Sequence, residues 1–554
     1  MWVGITPSDS FARVGAVISE RRTLNRMQKT ALGLICAALD RQGTATEKQH
    51  LQYIGGGGGT GKSWLIDSLK EVFAAKEVAS RLVITATSGT AAAGIGGTTI
   101  HSAVGLSFKD KDEQTGDTMM SASVDKAKER WRRRDVLVID EVSMLGLLTL
   151  YNIDQKLRML RGFADKPFGG IPVVIFTGDF LQFPPVNQSS LLKDFSKTNG
   201  DGKHAQLSKR SAEKRWRELK AQELWFEFKD VVILEEQKRA EGDAYLLSLL
   251  ERIREGKQTA EDAEQLQTKY RPEARLDFTS GRRAIIPLNK HRWDMTLHAA
   301  LAYSTETGRK MSLYLPGHKW VSRVPGPEER TAAMLLGDGN NLPVPGMFPY
   351  VEGMPVVVNE NKYMGLKVVN GAEFTAVQVL HPPGLEEIHI NDKFSIVLGP
   401  PSGIVLQSKE TQGLAFPNLP PNTVLLPGKN IRIDKQYVKT LRPGMSNKTD
   451  LGLVRTGLPC SPAFALTDFK AQGRTLDKTL LGLYGTTPNT KCSPSSMYVQ
   501  LSRARRFDDI ALIEPLNAVD FLAVNMPPDQ TKGIKRLKDL AEATVARFEA
   551  TQGR

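Results

Sequence analysis

Cysteine is nearly missing. The 554 residues hold three, Cys36, Cys460 and Cys492, widely spaced and never in the close pairs of a disulfide framework or a thiolate zinc site. Both are excluded, and a reducing compartment is expected. No apolar run approaches the roughly 18 residues of a membrane-spanning helix. The first thirty residues mix Asp9, Glu20 and arginines without an apolar centre, so neither a membrane partner nor a secretory leader is expected. Glu20, beside Arg13, Arg21 and Arg22, also speaks against a mitochondrial presequence. Acid is in the minority: 61 Asp and Glu face 74 Lys and Arg, a formal net charge of +13, which suits a polyanionic partner such as nucleic acid. With 40% hydrophobic and 24% charged residues, the composition is that of a soluble, intracellular globular protein.

The length exceeds what one hydrophobic core supports, so several domains are expected. After an N-terminal extension (1–23), residues 24–190 alternate short apolar runs with helical patterns, as a parallel sheet with crossover helices does. The strands predicted there are LQYI, RLVITAT, DVLVID and PVVIFTG, each ending in small, polar or acidic residues, at the edge where open α/β sheets hold ligands. A basic polar connector (191–222) leads to a second α/β domain in two parts, 223–343 and 460–515. Residues 344–459, rich in proline, glycine and β-branched residues, read as a β-rich antiparallel insertion between them. The tail, 516–554, is predicted helical, with Ile534, Leu537, Leu540 and Ala541 along one face of a surface helix that frays.

YIGGGGGTGKSWL carries the chemistry. Gly56, Gly61, Lys62 and Ser63 satisfy the spacing G-x-x-x-x-G-K-[ST], which a chain of this length matches by chance roughly 0.02 times at average residue frequencies. Glycines let backbone N–H groups turn inward around a phosphate, lysine neutralises the outer oxygens, and the serine hydroxyl ligates magnesium. A strand before the loop, and Leu65, Leu69, Val72 and Phe73 at helical spacing after it, aim a helix N-terminus at the anion. The second metal anchor must lie on a neighbouring strand, and DVLVIDE offers Asp140 for the metal and Glu141 to polarise the attacking water. GDFLQFPPV follows a third strand and makes Gln182 the candidate γ-phosphate sensor. Positive charge is also needed opposite the loop, and the candidates are Arg239 in LEEQKR and Arg503 in VQLSRAR.

The ordered set LNRMQ, GGGGGTGKS, ATSGTAAAGIGGTTIHSAVGL, LVIDEVSM, FGGIPVVIFTGDFLQFPPV, LEEQKR, DFKAQGRTL and YVQLSRAR resembles the petite-integration-frequency (PIF) type DNA helicases, relatives of RecD in superfamily one, subgroup B. The likeness runs from about Leu24 to Ile513. It implies a 5′ to 3′ ATP-driven DNA motor of two RecA-like domains with a small SH3-like insertion, using ATP and Mg2+ and working on single-stranded and tailed or forked duplex DNA as a monomer. Carried over, Gln28 reads the adenine, and Gly56, Gly59, Thr60, Gly61, Lys62 and Ser63 hold the phosphates. Ser63 and Asp140 hold the metal, and Glu141 is the general base. Gln182, Arg239, Gln472, Gly473 and Arg503 surround the γ-phosphate. Thr87, Ser88, Thr90, His101 and Ser102 face DNA in the first domain, with Asn289 and Lys470 in the second. The family's roles place the protein in DNA repair, recombination or telomere maintenance, in the nucleus, with the mitochondrion as the alternative.

Three positions depart from the family. Phe469 stands where histidine usually precedes K-S-Q-G, Ala471 replaces the serine, and Gln500 replaces a small residue before L-S-R. An apolar ring cannot donate a hydrogen bond to a phosphate. The rival reading is therefore an ATP-gated single-stranded DNA clamp, or a decayed mobile-element copy, that binds without unwinding. The basic clusters 126–134 and 209–220 carry interleaved acids and read as solvated helix faces.

Overall fold

Strands buried on both faces read as unbroken apolar runs, and the first sheet is built from such runs. The chain's structure is a computed structural model describing residues 4–106, 121–195, 209–273, 276–321, 324–339, 342–433, 437, 452–485 and 490–552. Positions 196–208 of the expected connector, and 434–436 and 438–451 of the expected insertion, lie outside the described residues. The chain forms two compact units, one running to Gln258 and resuming at Val524, the other spanning Thr259–Ala523.

Among the described residues the first unit carries six parallel strands: β1 (His50–Gly56), β2 (Leu82–Ala86), β3 (Thr98–Thr99), β4 (Val136–Asp140), β5 (Val173–Gly178) and β6 (Asp230–Leu234), in the order β3-β2-β4-β5-β1-β6. Alternate side chains go to opposite layers, as the strand period of two requires. Tyr53, Leu137, Ile139, Val174 and Phe176 pack under one set of helices, while Ile54, Val136, Val138, Val173 and Ile175 pack under the other. The second layer is made by α1 (Phe11–Arg21), α2 (Arg26–Asp40) and α3 (Lys62–Ala75), through Val14, Ile18, Leu32, Ile35, Leu65 and Leu69. The basic cluster 209–220 is a solvated helix face, as expected: Arg217 pairs with Glu213 and Lys220 with Glu223, while Ala221, Leu224 and Trp225 of the same helix are buried.

Two expectations are corrected here. Residues 223–258 do not open the second domain. β6 pairs in parallel with β1, Gln52 opposite Asp230 through Gly56 opposite Leu234, and buries Val231 on one face and Val232 and Leu234 on the other. Nor does the tail fray. The helix Pro528–Gln552 lies over β6 and sinks Leu537 and Ala541 into the core beside Val231 and Trp225. The Thr544 hydroxyl accepts a hydrogen bond from the Val231 N–H at 3.1 Å, and Arg547 pairs with Asp230 at 2.9 Å, so this helix covers the sheet edge. Leu537, 3% exposed, should cost about 2 to 5 kcal/mol when cut to alanine. Urea unfolding of Leu537→Ala measures this, and a loss below about 1 kcal/mol would show that the helix is not part of that core.

The second unit has its own parallel sheet, Ala465–Leu466, Arg282–Ile285, Lys478–Leu481 and Ile510–Leu512 in spatial order. Among the described residues its other three sheets are mostly antiparallel. They begin before the expected boundary at 344, because Met311–Tyr314 pairs with Phe348–Val351 and Gly317–Trp320 with Leu453–Gly457. The α/β class with a β-rich insertion is therefore the observed architecture.

Candidate nucleotide site

β1 lies between β5 and the edge strand β6, and the loop that follows it meets the N-terminus of α3. Gly59 (φ +95°) and Gly61 (φ +89°) take left-handed backbone angles that suit glycine. Both are also flanked closely: a Cβ on Gly59 would lie 2.6 Å from the Arg239 Cβ, and one on Gly61 would lie 2.2 Å from the Gln28 Nε2. The Thr60 hydroxyl donates to the Gly57 carbonyl at 2.9 Å, which stiffens the turn. Gly61 caps α3 without any side chain, leaving the first N–H groups of the helix for an anion. The Lys62 ammonium folds back to the carbonyls of Gly56 (2.6 Å) and Gly57 (3.0 Å), acceptors weaker than a phosphate oxygen. Ser63 is exposed on the first turn.

Gln28 reaches this loop from α2. Its backbone N–H donates to the Asn25 side chain at 2.9 Å and its Oε1 accepts from the Asn25 N–H at 3.0 Å. This capping box leaves Nε2 turned toward the Thr60 and Gly61 carbonyls, 3.5 Å away.

Asp140 and Glu141 end β4, one strand beyond β5. Burial raises the Asp140 pKa, against a hydrogen bond donated by Thr177 and the positive charge of Lys62. Glu141 has φ 55° and ψ 44°, left-handed values that cost a non-glycine residue about 1 to 3 kcal/mol and mark a turn held in place by its surroundings. The clamp is Thr87, whose hydroxyl donates to the Glu141 carbonyl at 2.9 Å and whose N–H donates to the Asp140 carbonyl at 3.1 Å. No cluster of three metal-binding side chains occurs among the described residues. One hydroxyl and one carboxylate suit Mg2+, which keeps most of its waters and binds through phosphate oxygens.

At the end of β5, Gln182 is 2% exposed. Its N–H donates to the Asp179 carbonyl at 2.9 Å, and its amide lies 3.5 Å from the Asp179 carboxylate, which also pairs with Arg254 at 3.1 Å. Sequence reasoning missed Asp179 and Arg254, although an acid directly after a glycine-ended strand was a usable signal. It also missed Gln237, whose amide donates to the Gly58 carbonyl and accepts from the Arg239 N–H at 3.1 Å, while the Lys238 N–H donates to the Gly59 carbonyl at 2.9 Å. Arg239 is thus corrected. It was expected from the far side of the nucleotide, yet it lies in the first unit against the phosphate loop, because β6 runs beside β1 and its exit crosses the exit of β1.

The expected DNA-facing residues of the first unit follow β2 and β3 on the same edge of the sheet. Thr87 serves the Glu141 turn, and the Ser88 hydroxyl caps a short helix by accepting from the Ala91 N–H at 3.2 Å. Thr90 and His101 are half-buried and Ser102 is exposed; burial lowers the His101 pKa, which favours its neutral ring.

In the second unit the candidates are engaged internally. Asp338, 2% exposed, pairs with Arg292 and with the Lys470 ammonium at 2.9 Å. Asn289 bridges the same group, donating to the Asp338 carbonyl at 2.6 Å and accepting from the Arg292 Nε at 2.7 Å. Asn289 and Lys470 therefore hold a buried ion cluster. Arg503 is completely buried; its guanidinium donates to the carbonyls of Val499 (2.7 Å) and Arg474 (3.0 Å) and to the Ser502 hydroxyl (2.6 Å). In this arrangement it fastens the loop at Arg474 to its own helix rather than reaching outward. Gln472 is 7% exposed, and Gly473 turns with φ +78°. Gln500, the departure before L-S-R, donates to the Gly482 carbonyl (2.9 Å) and the Ser496 hydroxyl (3.1 Å), which donates to Asp468 (2.6 Å). Phe469, next to Asp468, is 44% exposed.

Residues 23–264 match the profile of the PIF1-like helicase family. The ATP-dependent DNA helicase PIF7 of Trypanosoma brucei brucei is 44% identical over 140 residues, 25% of this chain and 14% of that protein. The ATP-dependent DNA helicase RRM3 of Saccharomyces cerevisiae is 26% identical over 523 residues, 87% of this chain and 64% of that protein. The chain thus spans less than two thirds of the length of these relatives. Among solved structures, the Pif1 helicase from Candida albicans superimposes with a TM-score of 0.60 at 20% identity, covering 93% of this chain and 99% of that one. The Pif1 helicase from Bacteroides, in complex with ADP-AlF3 and ssDNA, gives 0.59 at 17% identity, covering 93% and 97%. These two likenesses carry the fold, and the profile likeness is confined to residues 23–264. Residues 23–264, which include the phosphate loop, are similar to the PIF1-like helicase family.

Proposed function

We propose that the chain is an ATP-dependent DNA helicase that moves 5′ to 3′ along single-stranded DNA and separates duplex ahead of it. The observation that carries this is the convergence of Gln28, Lys62, Asp140, Glu141 and Gln182 at the carboxyl edge of one parallel sheet, around a glycine turn closed by Gln237 and Arg239. Bound there, Mg2+ would neutralise phosphate oxygens. Lys62 would exchange its two carbonyl acceptors for a phosphate, Ser63 and Asp140 would hold the metal, and Glu141 would accept a proton from the attacking water. Gln182 and Arg239 would report the terminal phosphate. The Bacteroides relative solved with ADP-AlF3 and ssDNA supports both ligand classes. Thr90, His101 and Ser102 would line the strand, and one chain would suffice per strand. Repair, recombination or telomere maintenance in the nucleus fits such a motor, and fluorescence of a tagged copy outside every DNA-containing compartment would remove that part.

The exposed Phe469 ring favours a second reading, an ATP-gated clamp that holds single-stranded DNA without unwinding. One experiment separates them: partial duplexes with a 5′ or a 3′ single-stranded tail, incubated with ATP and magnesium. We expect strand separation from the 5′ tail alone. Tight DNA binding without separation from either tail would establish the clamp.

A further inference from the structure

The phosphate loop has two flanks. On one, Lys62 bonds the Gly56 and Gly57 carbonyls and Asp140 ends β4, the side suited to the metal and the terminal phosphate. On the other lies Trp64, the third residue of α3, whose indole is 48% exposed although a tryptophan on a surface helix ordinarily buries its ring. The ring is held in place. The Arg22 guanidinium lies 3.7 Å from its centroid, and its Nε1–H donates to the Arg22 carbonyl at 3.1 Å. Arg22 is fixed in turn by Glu71, two helical turns along α3. The Arg22 Nε is buried with no hydrogen-bond partner among the described residues, so Glu71 and the ring beneath set the plane of the guanidinium. Trp64 is the third residue after the Gly61 cap, in the first turn of α3, and Gln28 sits directly on Gly61. The segment from Arg22 to Gln28 therefore brings one amide and one propped aromatic plane to the flank away from the metal. An anion at the head of α3 has its terminal group on the Lys62–Asp140 side, which sends the ribose and base to this one.

Resting on the phosphate-loop reading, we infer that the Trp64 indole, backed by Arg22, is the platform on which the nucleotide base stacks, and that it makes the site prefer purine over pyrimidine nucleotides. Gln28 supplies an edge contact and Trp64 the face. A larger ring system gains more from a flat indole, and stacking of a base on an aromatic side chain is worth about 1 to 3 kcal/mol, or roughly five- to 150-fold in affinity.

The test uses the full chain with ATP, GTP and CTP as probes. Equilibrium dialysis gives affinity, and steady-state turnover gives KM and kcat. Tryptophan emission is compared between the parent and Trp64→Phe. We expect ATP to quench a component of the emission that Trp64→Phe lacks. We expect Trp64→Phe to hold affinity within about threefold, while Trp64→Leu, of similar apolar character without a π face, loses about tenfold in affinity for ATP and narrows the gap between ATP and CTP. The turnover defect of Trp64→Leu falls on KM rather than kcat. Unchanged affinity and an unchanged purine preference in Trp64→Leu, with binding still lost in Lys62→Ala, would overturn the platform and leave the phosphate loop standing. No nucleotide bound by the parent chain would bring down both. Arg22→Gln keeps Trp64 but removes its backing, and a partial loss there, between those of Trp64→Phe and Trp64→Leu, is expected.

Discussion

Lys62→Ala should abolish ATP turnover, with kcat falling by about 10³-fold or more, and should weaken nucleotide binding. The ammonium lies against the glycine turn with two loop carbonyls as its present acceptors, so its removal leaves phosphate charge uncompensated where α3 begins. Glu141→Gln should behave differently. Its backbone is held left-handed by Thr87, and glutamine copies the shape without the charge. Nucleotide should therefore still bind while hydrolysis drops by about 10² to 10⁴-fold, the range of a lost general base. Phosphate release in the presence of single-stranded DNA, together with equilibrium dialysis of ATP, reads both. Hydrolysis within tenfold of the parent in both variants would remove the assignment of this site.

Asp338→Ala should be the most damaging single change in the second unit, destabilising it by about 3 to 5 kcal/mol. Arg292, 1% exposed, would be left as a buried charge without its partner, and Lys470 and Asn289 would lose their anchor. For a unit of this size that corresponds to a fall in Tm of roughly 10 °C. Burial alone would raise the Asp338 pKa, but the Arg292 and Lys470 charges and their hydrogen bonds outweigh it and hold the carboxyl well below its ordinary range. A depressed folded-state pKa means stability that is fully present above the unfolded value of about 4 and lost as pH falls below it. Thermal unfolding of the parent should therefore show a loss below pH 4 that Asp338→Ala lacks. A change under about 1 kcal/mol in the variant, with the same acid sensitivity as the parent, would exclude the cluster as a structural anchor.

The parts legible in the sequence were those written in contiguous residues. The spacing of Gly56, Gly61, Lys62 and Ser63 with their flanking strand and helix, and the acids ending an apolar run at Asp140, needed no knowledge of distant segments. Segment DVVIL did. Its composition suits an edge strand of either parallel sheet, and only pairing with Gln52–Gly56 assigns it to the first. Arg239 was misplaced for that reason, since its side of the nucleotide depends on which sheet β6 joins. The stripe of Ile534, Leu537 and Ala541 revealed an amphipathic helix but not what it covers. Asn289, Lys470 and Arg503 carry family motifs, yet nothing in a motif announces that a carboxylate 46 positions after Arg292, or a pair of loop carbonyls, will engage them. The same holds for Gln500, which departs from the pattern and is explained by two acceptors far from it in sequence.

The helix that covers β6 also imposes an order on synthesis. β6 emerges from the ribosome well before residues Pro528–Gln552, and the whole of Thr259–Ala523 is translated in between. The second unit can complete its sheets from its own contiguous residues while the first still shows an uncovered strand edge and the apolar surface meant for Leu537 and Ala541. The part of the molecule that carries the phosphate loop begins first and finishes last, and during that interval it is the part most in need of a chaperone.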